Sequence, residues 1–205
     1  MITRRQFLVG SLAFGGLASS AFGKKLDLAS MPISEGYGAL IADPQKLLDL
    51  PKGFSYKVIS SLGNSMSDGM HVPDRADGMG CLPIEGTSDK VALIRNHELH
   101  PKHLSAQPKS IQMHTSELAY DNYHSGVALP GGTTTMVYNL TTNMVEREFI
   151  SLVGTVRNCS GGITPWGTWL TCEESVDLPH GPNGDVVNKD HGYIFEVPAN
   201  ADSLI

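Results

Sequence analysis

T-T-T-M-V-Y-N-L-T-T-N-M-V-E-R-E-F-I-S-L, residues 133–152, reads as a β-hairpin. Residues 133–140 are rich in β-branched side chains, and Thr141-Thr142-Asn143 is a turn. Residues 144–152 then alternate apolar and polar, the period of a strand with one face turned inward. Leu129-Pro130-Gly131-Gly132 reads as the turn that leads in. The same punctuation recurs outward from this hairpin. Residues 78–84 form a short strand, 85–89 a hairpin turn and 90–95 a buried strand that runs into Asn96-His97-Glu98. Residues 54–59, 168–172 and 191–198 also read as strands, and residues 63–77 as a long polar loop. The one helical signal is Asp43-Pro44, a cap with proline at the first helical position of a single turn. About eight short strands with almost no helix make an all-β fold of antiparallel meanders. No internal repeat is visible, so the pattern leaves propeller and sandwich both open.

Composition narrows the function classes. The chain has 205 residues, 40% of them hydrophobic and 18% charged, which is globular rather than disordered. A net charge of −6 argues against nucleic acid as a main partner, because phosphate backbones need clustered Lys and Arg. It suits a protein that holds cations. Three cysteines, Cys81, Cys159 and Cys172, leave at least one thiol outside any disulfide.

Residues 1–23 read as an export signal. Arg4-Arg5-Gln6-Phe7-Leu8 is a twin-arginine pattern, and a mild, glycine-containing apolar run of residues 8–21 follows it. At about 1.5 Å per residue that run falls short of about 30 Å of hydrocarbon. No stable membrane anchor is therefore expected. Ala21-Phe22-Gly23 fits a small-residue cleavage site. The expected partner is the twin-arginine translocase, and the expected location is the periplasm or the exterior. Residues 24–50 read as an extended lead-in, and the folded part as 51–205. Residues 201–205 read as mid-loop, so the sequence is expected to be the N-terminal part of a longer protein.

The densest chemistry lies at residues 155–175, T-V-R-N-C-S-G-G-I-T-P-W-G-T-W-L-T-C-E-E-S. Cys159 stands in what reads as a glycine turn, Gly161-Gly162. A strand follows and ends on Glu173 and Glu174. Glu98 ends another apolar strand, and strand ends at one rim of an all-β fold converge. Carboxylates gathered in one place repel unless cations neutralise them. Carboxylate oxygens suit hard metals, and a thiolate adds a softer, iron-type ligand. On composition alone, Glu173 and Glu174 read first as a solvated strand end. Asn96 and Asn158 suit oxygen coordination or the orientation of a ligand. Arg95 and Arg157 stand just before them, as phosphate partners or as ordinary salt-bridge residues. His100, His103, His114 and His124 read first as solvated loop residues, since their spacing matches no zinc pattern. No nucleophile elbow, Walker loop or Rossmann glycine fingerprint is present.

The set Gly36-Tyr37-Gly38, Leu50-Pro51-Lys52-Gly53-Phe54-Ser55-Tyr56, Asp77-Gly78-Met79, Arg95-Asn96-His97-Glu98 and Gly131-Gly132-Thr133-Thr134-Thr135 continues into Arg157-Asn158-Cys159-Ser160-Gly161-Gly162 and the block Thr164-Pro165-Trp166-Gly167-Thr168-Trp169-Leu170-Thr171-Cys172-Glu173-Glu174. In this order the motifs resemble the PhoX-type alkaline phosphatases. The resemblance implies a six-bladed β-propeller, of which residues 51–205 would be an incomplete part. It also implies Fe(3+) and Ca(2+) as cofactors and hydrolysis of phosphate monoesters outside the cytoplasm. Cys159 is then the thiolate ligand, and Glu98 and Glu173 are carboxylate ligands with Glu174 as the alternative to Glu173. Asn96, Asn158 and Asp77 stand near the metals. The nucleophile would be a metal-bound oxo or hydroxide, so no catalytic side chain beyond the metal ligands is expected. A fragment of such a propeller is expected to be inactive by itself. The alternative is a non-catalytic periplasmic propeller that binds a metal or a partner.

Overall fold

The computed structural model describes residues 36–102, 117–182 and 184–205. The export signal, residues 24–35 of the lead-in, His103 and His114 lie outside the described residues. The chain divides into two units, Met1–Lys57 and Val58–Ile205.

In the first unit, β1 (Leu40–Ile41) pairs antiparallel with β2 (Leu50–Pro51). The helical turn expected at Asp43 is instead a side-chain-closed loop. The Asp43 carboxylate accepts from the backbone N–H groups of Gln45, Leu47 and Leu48 and from the Tyr56 hydroxyl. The Tyr56 bond leads in holding its pKa down, at about 2. An aspartate that satisfies three backbone donors this way competes with a helix rather than starting one. Residues 54–59 join no sheet ladder, although their alternation predicts a strand. Alternation gives a face and no neighbour, and a strand requires both.

The second unit holds two antiparallel meanders. The first has four strands: β3 (Ala76–Pro83), β4 (Lys90–His97), β5 (Gly131–Asn139) and β6 (Met144–Thr155), in that order. The second is β7 (Asn158–Ile163), β8 (Thr168–Glu173) and β9 (Ile194–Pro198). No described residue is in an α-helix. The β5–β6 hairpin turns at Asn143, whose φ of 56° is left-handed. Asn139 closes that turn by accepting from the backbone of Thr141 and Thr142.

Both faces of the first sheet are covered. On one face Leu82, Ala92, Ile94 and Leu152 pack with Trp169 and Val197 of the second sheet. Gly80 makes this possible, because a Cβ there would lie 2.5 Å from the Trp169 ring. On the other face Ile150 and Val153 pack with Met66 and Val72 from the polar loop. This double cover explains why all of Thr133, Thr134 and Thr135 are buried. Their hydroxyls find partners inside: Thr133 and Thr135 on Ser151 Oγ, and Thr134 on His97 Nε2.

Two expectations change at this level. Residues 159–162 are not a glycine turn but the body of β7. Glycine is required at 161 because a Cβ would lie 2.0 Å from the Leu170 carbonyl oxygen and against the Trp169 ring. Gly131 and Gly132 likewise belong to β5, pressed against the backbone of β6.

Candidate metal centre

Three strand ends meet where the two sheets join. Asp77 stands at the irregular start of β3, where the pairing with β4 shifts register between Ala76 and Met79. Glu98 follows the last residue of β4. Cys159 is the second residue of β7. One carboxylate oxygen of Asp77, one of Glu98 and the Cys159 Sγ all lie within 4.8 Å of one another. Ligands about 2.4 Å from a shared cation lie within that range of each other.

Backbone packing makes the approach possible. A Cβ on Gly78 would come 2.6 Å from the Cys159 carbonyl oxygen, so only glycine lets β3 pass this close to β7. Asn96 then ties β4 to β7. Its Nδ2 donates to the carbonyls of Cys159 and Ser160 at 2.8 and 3.1 Å, and its Oδ1 accepts from Trp169 Nε1 at 2.9 Å.

Arg157 supplies the positive charge. Its Nε and Nη2 both donate to Glu98 Oε1, and Nη2 also donates to Glu174 Oε2 at 2.8 Å. Those bonds, helped by Asp77 and by the charge of Arg75, hold the Glu98 carboxyl below its ordinary range. The Cys159 thiol moves the other way: burial pushes it up, and the charges of Asp77, Glu174 and Glu98 push it further. The thiol therefore keeps its proton until positive charge arrives beside it.

The remaining residues named from the sequence sit elsewhere. Glu173 points inward, with its side chain fully buried. Oε1 accepts from Val156 N at 2.8 Å and meets His191 Nδ1 at 2.7 Å. Oε2 accepts from Gly192 N and Tyr193 N at 2.6 and 3.1 Å. All its strong acceptor directions are in use. Asn158 is buried, with Oδ1 accepting from Thr155 Oγ1 and Nδ2 donating to Thr171 Oγ1. Both asparagines thus spend their amides on the scaffold. Glu174 remains at the rim, half exposed, beside Arg157. Arg95 forms a mostly buried ion pair with Glu148 on the opposite face of the first sheet. His100 is buried rather than solvated, 3.4 Å from Asp177.

Sequence reading missed a second cluster. His191 lies between Glu173 and Asp121, with Nε2 at 3.2 Å from Asp121 Oδ2. Asp121 also accepts from the backbone of Asn122, Asn188 and Lys189. No local spacing signals this group, since the partners are 18 and 70 residues away from His191.

The family model described as Alkaline phosphatase PhoX matches residues 35–144 and 131–204. The chain belongs to the PhoX alkaline phosphatase family. Comparison with curated proteins and with solved structures gives no match. The first PhoX segment carries Asp77 and Glu98, and the second carries Arg157, Cys159 and Glu174. The donor set fits one of the two metals that the PhoX resemblance implies. Two carboxylates and a thiol suit a ferric ion, whereas a calcium ion needs six to eight oxygens and so more than this trio offers.

Proposed function

We propose that this protein acts in a metal-dependent phosphatase that hydrolyses phosphate monoesters outside the cytoplasm. The observation that carries the reading is the convergence of Asp77, Glu98 and Cys159 in a chain of the PhoX family. The two meanders fit the form of consecutive propeller blades, and Arg4-Arg5 fits export by the twin-arginine route. Among the described residues, no helix is long and apolar enough to cross a membrane.

Asp77, Glu98 and Cys159 would hold iron, and Glu174 at the rim is a further carboxylate that a calcium ion would draw on. Bound there, the metals supply Lewis acidity and offset charge that develops on the phosphoryl oxygens. The chain's own residues prepare that binding. Arg157 keeps Glu98 ionised and aimed at the cluster. Cys159 Sγ holds a proton that it must release on ligation, so metal uptake liberates acid. Asn96 holds the carbonyls of Cys159 and Ser160, and Sγ is the atom that Cys159 offers to the cluster.

The test is hydrolysis of p-nitrophenyl phosphate by the full-length protein, with EGTA added and calcium then returned. Loss of most activity with EGTA and its recovery with calcium are the expected results. Hydrolysis that ignores calcium, or no hydrolysis from a metal-loaded protein, overturns the reading. The latter would leave a metal-binding module without catalysis.

A further inference from the structure

Arg157 is held in place more firmly than a surface salt bridge requires. Its φ of 54° is left-handed, a conformation that a residue with a long side chain rarely adopts. Its backbone is clamped on both sides: the N–H donates to Leu99 O at 2.8 Å, and the carbonyl accepts from Glu174 N at 2.9 Å. The ends of both sheets thus fix the backbone from which the side chain springs, and Glu98 and Glu174 hold the guanidinium. Nε and Nη2 serve Glu98 and Glu174, while Nη1 makes no hydrogen bond among the described residues. The side chain is 40% exposed, so that free edge meets solvent beside the cluster.

Charge placement gives this a consequence. Without metal, Arg157 is stabilised by Glu98 and Glu174. A cation entering between Asp77, Glu98 and Cys159 neutralises Glu98 and sets a second positive charge near the guanidinium. An oxyanion lying against both charges relieves that repulsion. The two N–H groups of Nη1 are left to donate to phosphate oxygens. We propose that Arg157 is a phosphate-binding residue of this centre, and that it couples cation binding to the binding of the phosphoryl group. This rests on the phosphatase reading above and names a residue that grips its substrate.

The experiment is calorimetric titration of Ca(2+) into the full-length protein, with and without submillimolar orthophosphate. The wild type is compared with Arg157→Gln and Arg157→Lys. In the wild type, phosphate is expected to tighten calcium binding about tenfold, the scale of one charge-assisted hydrogen bond. Calcium should tighten phosphate binding by the same factor. Arg157→Gln is expected to bind calcium but to lose the coupling to within about twofold, and Arg157→Lys to recover part of it. Full coupling in Arg157→Gln overturns the proposal. So does a folded Arg157→Gln that binds no calcium, since Arg157 would then only prop Glu98. If Arg157→Gln fails to fold, Glu174→Gln decides. It removes a negative charge beside the guanidinium without removing the guanidinium, so phosphate should bind at least as tightly, and weaker binding counts against the proposal. A wild-type protein that binds no calcium sinks the phosphatase reading itself. One that binds calcium without any effect of phosphate sinks only the role of Arg157.

Discussion

Glu173 and Glu174 are neighbours in the chain, yet each belongs to a different acidic cluster. Glu173 joins Asp121 around His191, where the ring is fully buried and both of its nitrogens face carboxylate oxygens. Glu174 joins Asp77, Glu98 and Cys159 at the rim, where one partly exposed guanidinium serves two carboxylates. The inner cluster is closed: every Glu173 oxygen is bonded, and the compensating cation is a side chain. The rim cluster is open: its carboxylates keep free lone pairs, its thiol is uncompensated, and its balance of charge is negative. Saturation, more than residue type, separates a carboxylate that holds the fold from one that can hold a ligand. Successive strand residues point to opposite faces, so Glu173 and Glu174 were never going to share one site.

The largest test of this difference exchanges the loss of one carboxylate for the other. Glu173→Ala removes one member of a buried pair and strands His191, Val156, Gly192 and Tyr193. A loss of about 3–5 kcal/mol in urea unfolding is expected. Glu98→Gln removes a partly exposed partner of Arg157 and should change stability by less than about 1 kcal/mol. It should nevertheless lower the iron content of the purified protein, read by elemental analysis. Equal destabilisation by both would erase the contrast.

A middle-sized effect is expected at the joint between the sheets. Gly78→Ala puts a methyl group 2.6 Å from the Cys159 carbonyl oxygen, which is backbone and cannot swing away. Strand β7 must move off β3, at about 1–3 kcal/mol by the usual cost of overpacking. That motion separates Cys159 from Asp77, so iron content should fall while the inner cluster stays intact. A variant with wild-type iron and a lowered midpoint would show that the centre tolerates the shift.

Much of the fold was legible because it is local. Residues 90–95, 133–140 and 144–152 carry both a strand period and a turn at the right distance. Residues 159–162 were misread because Gly161-Gly162 has the composition of a turn. What places glycine there is a tryptophan and a carbonyl on the next strand, which no local pattern contains. At the centre, Glu98 was legible as a strand-end donor and Cys159 as a thiol beside glycines, whereas Asp77 ranked low because a loop aspartate carries no signal. The inner cluster was invisible for the same reason in stronger form. Its three members come from a strand end, an irregular segment and a loop, and only the folded chain brings them together.

The smallest effect tests the inner cluster through its proton. Both ring nitrogens of His191 face carboxylates, and a neutral imidazole has a single N–H, so the closed arrangement calls for the imidazolium. Burial alone pulls the ring's pKa down, but the bonds and charges of Glu173 and then Asp121 outweigh it, and the net shift is upward. A group whose pKa is raised on folding contributes fully below its unfolded value, about 6.5 for histidine, and loses that contribution as pH rises through the folded value. The melting temperature of the wild type should therefore decline as the buffer moves from neutral to alkaline. His191→Gln, which donates one hydrogen bond to one carboxylate at any pH, should start lower and show a flatter profile. The ion pairs of Arg157 at the rim should not follow, because Arg157 keeps its charge throughout that range. If both proteins lost stability with pH in parallel, the decline would belong to another group, and His191 would be no more than a neutral hydrogen-bonding partner in the core.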